Sequence, residues 1–429
     1  LTDESNAGGS DETDQAGYQA LDDYNFDALN DKVRDSWRML YFSIYRANKV
    51  INKSDDLTPL RKRLIAEAKT LRAYNYFELV SLWGDVPLVL NDIPPANYTS
   101  TPRVAKADVY KQIEKDLGEA IPELPLKSGY SSAEKFRVSK GTAQSLLGKA
   151  LLYQEKWLEA ATQFDLVINS NEYSVAPSIA AVFSQSGEFG QESIFEISYT
   201  NTKQYSWNNF PWDYQPESNI HVQLMGPRGD YYTKAPGDSL IAGWGFIRPK
   251  VKMWDAFIAD GGVARRNQSI MSQAELEASG GAWTKPNDRD YEGYFQRKYG
   301  SFSNQTGSPT GELNYGTNWR QIRYSDVLLM AAEAYYRTDE SKARGYINQI
   351  RQKRGVPDVT ATGTALFEAI VHERQVELAF EGVRFQDVIR WGRGTQEFGY
   401  MGFVAGKHEV LPIPDYDVKT GGLPQNPNY

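Results

Sequence analysis

The residues best suited to chemistry lie in one segment, 207–232, where aromatic and polar side chains alternate. Flat rings stack on the apolar C–H faces of a pyranose, while amides, carboxylates and guanidinium groups hydrogen-bond its hydroxyl rim. The segment therefore predicts a carbohydrate-binding surface; the alternative is that its rings form a small core beneath a long loop. The candidate ligand-contacting rings are Trp207, Trp212, Tyr214, Tyr231 and Tyr232, interleaved with Asn208, Asn209, Asp213, Gln215 and Arg228.

A second candidate for ligand contact is Trp283. It follows Gly280 and Gly281 in a loop-like segment, where a lone tryptophan has little local reason to be buried. We therefore expect its ring to face solvent.

Composition argues against several other kinds of site. The 429 residues carry a net charge of −8, which argues against nucleic acid and anionic lipid as partners. The absence of cysteine excludes disulfides, thiolate metal sites and cysteine nucleophiles. His221, His372 and His408 show no metal-ligand spacing. No apolar run reaches the roughly 18 residues of a transmembrane helix, and we expect neither a metal nor another cofactor.

The pattern does not favour an enzyme. A glycosidase needs two carboxyl groups held about 5 to 10 Å apart across a cleft, and no spacing in the chain places such a pair. Pairs such as Asp288 and Asp290 are common among 55 acidic residues. Neither a glycine-rich phosphate loop nor a Gly-x-Ser-x-Gly motif is present.

A helical hairpin of tetratricopeptide type is the clearest element that would position these side chains. Residues 142–173 follow the tetratricopeptide spacing, and the small residues Gly148 and Ala160 allow two helices to approach closely. Such a hairpin needs neighbours to stack on. Apolar side chains at helical spacing fill its seam: Leu147, Leu151, Phe164 and Val167.

Further helical periodicity predicts more pairs around one irregular segment. Residues 183–319 lose this periodicity and contain short β-type runs, so we predict a loop-rich lobe there. Residues 1–17 are polar and acidic and read as a loop or mobile arm, and 408–429 as an extended tail. The predicted pairs are 31–53 with 59–82, 139–153 with 157–169, 322–337 with 339–354, and 364–381 with 385–392.

Several segments together resemble the SusD/RagB-like family, the surface glycan-binding lipoproteins of polysaccharide-utilisation systems in certain Gram-negative bacteria. The resemblance covers most of the chain in the family's order. It is carried by residues 71–90 (LRAYNYFELVSLWGDVPLVL), 138–173, 243–246 (GWGF), 322–334 (IRYSDVLLMAAEA), 373–391 (ERQVELAFEGVRFQDVIRW) and the tail LPIPDYDV…QNPNY.

The resemblance implies a mainly α fold in which about four tetratricopeptide-like hairpins pack against the irregular lobe, as one unit over residues 1–429. Family members often use the loop after the first helix pair for ligand contact, which adds Asn97 and Tyr98 as candidates. Trp244, within the GWGF motif, is expected to be buried. Glu381, Arg384, Asp387 and Arg390 are expected to form local ion pairs around the last helices.

The implied function is capture of an oligosaccharide at the cell surface and its delivery to a SusC-like TonB-dependent outer-membrane transporter. The family is anchored by a lipidated N-terminal cysteine, which in this protein would have to lie upstream of Leu1. The implied location is the outer membrane, as a surface-exposed lipoprotein. The alternatives are capture of peptides by the same kind of uptake system, a glycoside hydrolase, and a plain protein–protein scaffold, a common role of tetratricopeptide stacks.

Overall fold

The structure is a computed structural model that describes residues 1–53, 58–93, 97, 101–212 and 216–429. The chain folds into two compact units. Unit 1 comprises Leu1, Ala20–Glu172 and Phe385–Tyr429, and unit 2 comprises Thr2–Gln19 and Tyr173–Arg384.

Helices account for most of the regular structure, which confirms the prediction of a mainly α fold. Within the described residues, no helix has the length and apolar character needed to cross a membrane. The α-helices are α1 Ala16–Asp22, α2 Asp31–Ile51, α3 Pro59–Trp83, α4 Lys106–Ala120, α5 Lys140–Leu152, α6 Trp157–Ile168, α7 Ile179–Phe183, α8 Ile220–Met225, α9 Val251–Asp260, α10 Val263–Ser269, α11 Gln273–Ala278, α12 Tyr324–Tyr335, α13 Glu340–Arg354, α14 Gly363–Glu377, α15 Arg384–Arg390, α16 Gly394–Phe398 and α17 Asp415–Lys419.

The strands are short and form two-stranded antiparallel ribbons. In the described part of the chain the pairs are β1 with β6, β2 with β3, β4 with β10, β5 with β8, and β7 with β9. Their bounds are β1 Ser5–Gly8, β2 Val86–Pro87, β3 Arg103–Val104, β4 Ser193–Ile197, β5 Tyr232–Thr233, β6 Phe246–Pro249, β7 Ile270–Ser272, β8 Ala282–Trp283, β9 Tyr294–Gln296 and β10 Trp319–Arg323.

In unit 1 the helices from α2 to α6 pack in chain order, each against the next. The seam between α5 and α6 is as tight as the small residues predict. A Cβ placed on Gly148 would lie 2.5 Å from the Phe164 ring. A Cβ atom and a ring carbon cannot approach each other so closely without a shift of one of them. This glycine is therefore required for the observed approach of the two helices.

Local sequence signals set the ends of these helices. Pro59 occupies the first turn of α3, and the Thr58 side chain accepts a hydrogen bond from the Arg61 amide. Gly84 follows α3 with a φ of 72°, which a glycine adopts without strain. Ser139 is the N-cap of α5, and its side chain accepts a hydrogen bond from the Thr142 amide. The predicted helical segments 59–82 and 139–153 are confirmed as α3 and α5.

In unit 2 the pair α12 and α13 forms as predicted, and α14 packs against α12, α13 and α9. The partner predicted for α14, residues 385–392, forms most of α15 and belongs to unit 1. A buried ion network runs through the helical part of unit 2, in which equal numbers of basic and acidic side chains pair with one another. Its members are Arg265, Lys298, Arg323, Arg351, Arg354, Glu192, Asp260, Glu373, Glu377 and Glu381.

The prediction of local pairs around α15 is partly wrong. Arg390 does pair with Asp387 at 2.8 Å. Glu381, however, binds Arg323 and Lys298, each at 2.8 Å, and both are remote in sequence. The pattern of charged residues in the sequence does not show whether the ion-pair partner of a glutamate is nearby in the chain or remote.

The N-terminal segment is not a mobile arm. Strand β1 pairs with β6, and Asp3 is fully buried with its carboxylate 2.9 Å from Arg384. The Asp3 carboxylate also lies 2.6 Å from the Lys252 ammonium, so its charge is paired in the folded protein. The prediction of a mobile arm is therefore wrong for β1 and Asp3, whereas residues 9–15 form bends and turns, as the alternative prediction of a loop expected.

Candidate functional site

Three tryptophans lie together in unit 2. Trp207 and Trp212 are 52% and 56% exposed, and Trp244 is partly buried beside them. The ring centroids of Trp207 and Trp212 are 6.2 Å apart, and each lies 6.3 Å from that of Trp244. The angles between the ring planes are 17° to 23°. We call Trp207, Trp212 and Trp244 the tryptophan triad.

The geometry of the tryptophan triad defines a surface. Three rings in one face-to-face column would place the outer pair about twice as far apart as neighbours, whereas these three separations are nearly equal. The three ring centroids therefore form a nearly equilateral triangle, and the three ring planes are close to parallel. Such an arrangement offers ring faces to a flat apolar partner.

The exposed pair is supported by a small core beneath it. Phe210 is buried and its ring centroid lies 4.6 Å from that of Trp212. Phe210 packs with Tyr205 and Leu313. The amide of buried Asn314 both donates to and accepts from the Tyr205 backbone at 2.7 Å. This double hydrogen bond fixes the start of the loop that carries Trp207 and Trp212.

Trp244 is positioned by two closely approaching backbone segments. Its amide donates to the Gln223 carbonyl of α8 at 2.9 Å, and the Gly245 amide donates to the Gly226 carbonyl at 2.8 Å. A Cβ on Gly243 would lie 2.5 Å from the Gly226 Cα atom and 2.6 Å from the Gln223 oxygen. Only glycine at position 243 permits this approach.

A charged group adjoins the tryptophan triad. The guanidinium of Arg228 donates to the Trp244 carbonyl at 3.3 Å and to the Asp230 carboxylate at 2.7 Å. The Arg228 side chain remains 22% exposed and that of Asp230 59% exposed. The rings thus have a polar neighbour suited to hydroxyl groups.

Replacing Gly243 with alanine tests how Trp244 is held. The added methyl cannot fit, so the Trp244 backbone must shift and the coupling between the three indoles must weaken. We expect a smaller tryptophan exciton signal in circular dichroism, with a loss of about 1–3 kcal/mol in unfolding free energy. Gly345→Ala is the matched control, because a Cβ there meets open space. An unchanged exciton signal in Gly243→Ala would contradict this account.

Trp283 is not exposed, contrary to the expectation from its loop-like surroundings. It is 5% exposed and lies in a core with Tyr232, Met271, Leu276 and Phe295. Its indole N–H donates to the Lys285 carbonyl at 2.7 Å. The glycines before it shape a turn around the core, so a ring that is almost wholly covered has no face to offer a ligand.

The two neighbouring tyrosines belong to the same core. Tyr232 is 7% exposed, and burial raises its pKa. Tyr231 packs edge-on against Trp283 at 5.6 Å, and its hydroxyl accepts from the Lys285 ammonium at 3.0 Å. For these two rings the alternative interpretation, a small core under a loop, describes the structure.

Three candidates remain: Asn97, Tyr98 and Tyr214. Asn97 is exposed and belongs to unit 1. Tyr98 and Tyr214 lie outside the described residues.

Sequence reasoning missed Trp244, which we expected to be buried. Gly243 and Gly245 flank it much as Gly280 and Gly281 precede Trp283, so no local signal separates the two rings.

The whole chain resembles one solved structure closely. The protein named "Laminarin binding SusD-like protein" is 32% identical in sequence, the match covers 100% of this chain and 92% of that one, and the TM-score is 0.90. The chain belongs to the SusD family. The resemblance inferred from the sequence motifs is thereby confirmed.

Other comparisons agree with membership of the SusD family. The family model described as "SusD family" matches residues 263–429, and the one described as "Starch-binding associating with outer membrane" matches residues 4–152. "SusD-like protein P2" of Formosa agariphila is 27% identical over 93% of this chain and 81% of its own length. The surface glycan-binding protein A of Bacteroides thetaiotaomicron, solved with laminarihexaose, is 24% identical with a TM-score of 0.84, over 100% of this chain and 92% of its own. This last likeness concerns the fold alone.

Proposed function

We propose that this SusD-family protein is a non-catalytic surface glycan-binding protein whose tryptophan triad captures oligosaccharides. The observation that carries the proposal is the triad itself: two indoles more than half exposed and a third beside them with nearly parallel planes. Exposing such large apolar rings is unfavourable unless a ligand covers them. Pyranose faces match flat rings, and the polar Arg228 and Asp230 suit the hydroxyl rim.

We further propose that the ligand is a glucan of the laminarin type. One support is the name of the structural relative that is 32% identical. The other is the shape of the triad. A straight β-1,4 chain sets its sugars in one line and would follow a single edge of the triangle, whereas a bent β-1,3 chain can turn across all three rings.

The partner we propose is a SusC-like TonB-dependent transporter in the outer membrane, with the protein held at the surface by an upstream lipid anchor. Support comes from the description of the family model as associating with the outer membrane. Cross-linking in outer membranes, with the transporter identified by mass spectrometry, tests this. Cross-links only to unrelated membrane proteins would contradict it.

Binding of the hexasaccharide laminarihexaose to triad variants tests the glycan site. We expect Trp207→Ala and Trp212→Ala each to weaken binding about 10- to 100-fold, because a central aromatic contact contributes roughly 1.4–2.8 kcal/mol. Isothermal titration calorimetry against laminarihexaose, cellohexaose, maltohexaose and a peptide mixture measures this and ranks the ligands.

The control is Tyr416→Ala, which removes a ring that is 68% exposed in unit 1 and should leave affinity unchanged. Wild-type affinity in both tryptophan variants would refute the site. Binding of peptides and of no glycan would favour the peptide-uptake alternative. Release of reducing sugar by the purified protein would overturn the assignment as non-catalytic.

A further inference from the structure

A second aromatic surface lies on the ribbon of β4 and β10 in unit 2. Trp319 stacks flat on Tyr299, with centroids 4.3 Å apart and planes inclined by 7°. Tyr299 is 2% exposed and lies in a buried core, whereas Trp319 is only partly buried. One face of the indole therefore rests on the interior, and the accessible part of the ring lies on the side away from Tyr299.

The surroundings of Trp319 are exposed and apolar or neutral. His221 is exposed, and its ring lies 6.4 Å from Trp319 in an edge-on arrangement. Ile197, the cross-strand partner of Trp319, is 39% exposed. Protein atoms around His221 desolvate its ring and lower its pKa. The lowered pKa favours the neutral imidazole, which carries one donor and one acceptor nitrogen.

This surface carries polar side-chain atoms of two kinds, an indole N–H and the ring nitrogens of an imidazole. Within the part of the chain that the structure describes, neither the Trp319 indole N–H nor the His221 ring nitrogens make a hydrogen bond. A flat ring bordered by an indole donor and an imidazole is the combination that a pyranose with its hydroxyl rim would fill.

Helix α8 joins this surface to the tryptophan triad. Ile220 packs on the Tyr205 and Phe210 core beneath Trp212, and the Gln223 carbonyl holds the Trp244 amide. On the same helix, His221 meets Trp319. Six helical residues span roughly 9 Å, so one short helix contacts both the Trp319 surface and the support of the triad.

We propose that Trp319 and His221 form a further glycan subsite, adjoining the tryptophan triad and occupied by the same chain when that chain is long enough. The proposal rests on the proposed function, because it extends the ligand surface of the triad. It predicts that affinity rises with chain length and that the rise depends on Trp319 and His221.

The experiment compares laminaritriose with laminarihexaose by isothermal titration calorimetry. We expect Trp319→Ala and His221→Ala each to lower the affinity for the hexasaccharide about tenfold, the effect of roughly one stacking or hydrogen-bonding contact. Both variants should leave the trisaccharide affinity and the one-to-one stoichiometry unchanged. Trp319→Phe should retain most of the hexasaccharide affinity, because it keeps a flat ring on Tyr299.

Three results of this experiment would overturn the proposed subsite. Wild-type affinity of both His221→Ala and Trp319→Ala for the two sugars, together with no dependence of wild-type affinity on chain length, would overturn the subsite while leaving the triad intact. Two independent binding events per chain would also overturn it, since the surfaces would not share one ligand. Absence of any glycan binding by the wild type would overturn the proposed function and the subsite together. Because His221 is exposed, its variant keeps the test valid if Trp319→Ala does not fold.

Discussion

Glu377→Gln is expected to lower the unfolding free energy by about 3–5 kcal/mol, the typical cost of removing one partner from a buried ion pair. Glu377 is fully buried at the end of α14. Its carboxylate accepts from Arg323 at 2.8 Å, from Arg354 at 2.7 Å and from Arg265 at 3.1 Å. The amide oxygen of glutamine cannot neutralise three buried guanidinium groups, so positive charge is left uncompensated.

Urea denaturation followed by tryptophan fluorescence measures the effect of Glu377→Gln. Arg323, Arg354 and Arg265 hold the pKa of Glu377 well below its usual range, against the effect of burial. The stabilisation is therefore present above the unfolded pKa and is lost as pH falls through the lowered folded pKa. Glu312→Gln, at an exposed glutamate, is the control. A change under about 1 kcal/mol in Glu377→Gln would contradict the conclusion that its negative charge is needed to compensate the three buried guanidinium groups.

Glu4→Gln is expected to stabilise the protein increasingly as pH rises from about 4.5 to about 8, reaching on the order of 4 kcal/mol at pH 8. Complete burial, reinforced by the neighbouring Asp3 carboxylate, raises the pKa of Glu4 to about 8. The folded protein therefore holds a proton on Glu4 at neutral pH that the unfolded chain releases. Stability falls with rising pH in this interval, and glutamine removes that dependence while keeping an acceptor for the Phe380 amide.

Urea midpoints of wild type and Glu4→Gln, measured from pH 4 to pH 9, test this prediction. The two curves should meet at the acidic end and separate toward pH 8. Glu12→Gln, at an exposed position of the same segment, should follow the wild type throughout. Parallel curves for Glu4→Gln and wild type would mean that Glu4 is ionised in the folded protein at neutral pH.

Much of the helical framework was predictable because its signals are local. Helix α3, Pro59–Trp83, matches the predicted segment 59–82, with Thr58 capping its start and Gly84 following its end. The hairpin of α5 and α6 depends on Gly148 against Phe164, two residues within one predicted pair. In each case the residues that specify the structure lie within a few turns of one another, so periodicity and capping rules suffice.

The candidate site was only partly predictable. Trp207 and Trp212, predicted to contact a ligand, are exposed. Trp283 and Tyr232 are core residues, and Trp244 lies beside the exposed pair. Their local sequences do not distinguish them. What buries Trp283 is its packing on Met271, Leu276 and Phe295, and what brings Trp244 to the triad is the contact of Gly243 with Gly226.

By itself, the sequence determined a mainly α framework, the position of the helix ends, and an aromatic-rich segment suited to stacking on sugars. Helix propensity, capping and hydrophobic spacing act between residues that are near one another in sequence, so these signals can be read without knowledge of the tertiary structure. Only the tertiary structure decided which rings remain open, that Asp3 and Glu4 are buried rather than mobile, and that Glu381 pairs with Arg323 and Lys298. The burial of a side chain and the pairing of buried charges depend on residues from distant parts of the chain. No local sequence pattern shows which of these distant residues come into contact.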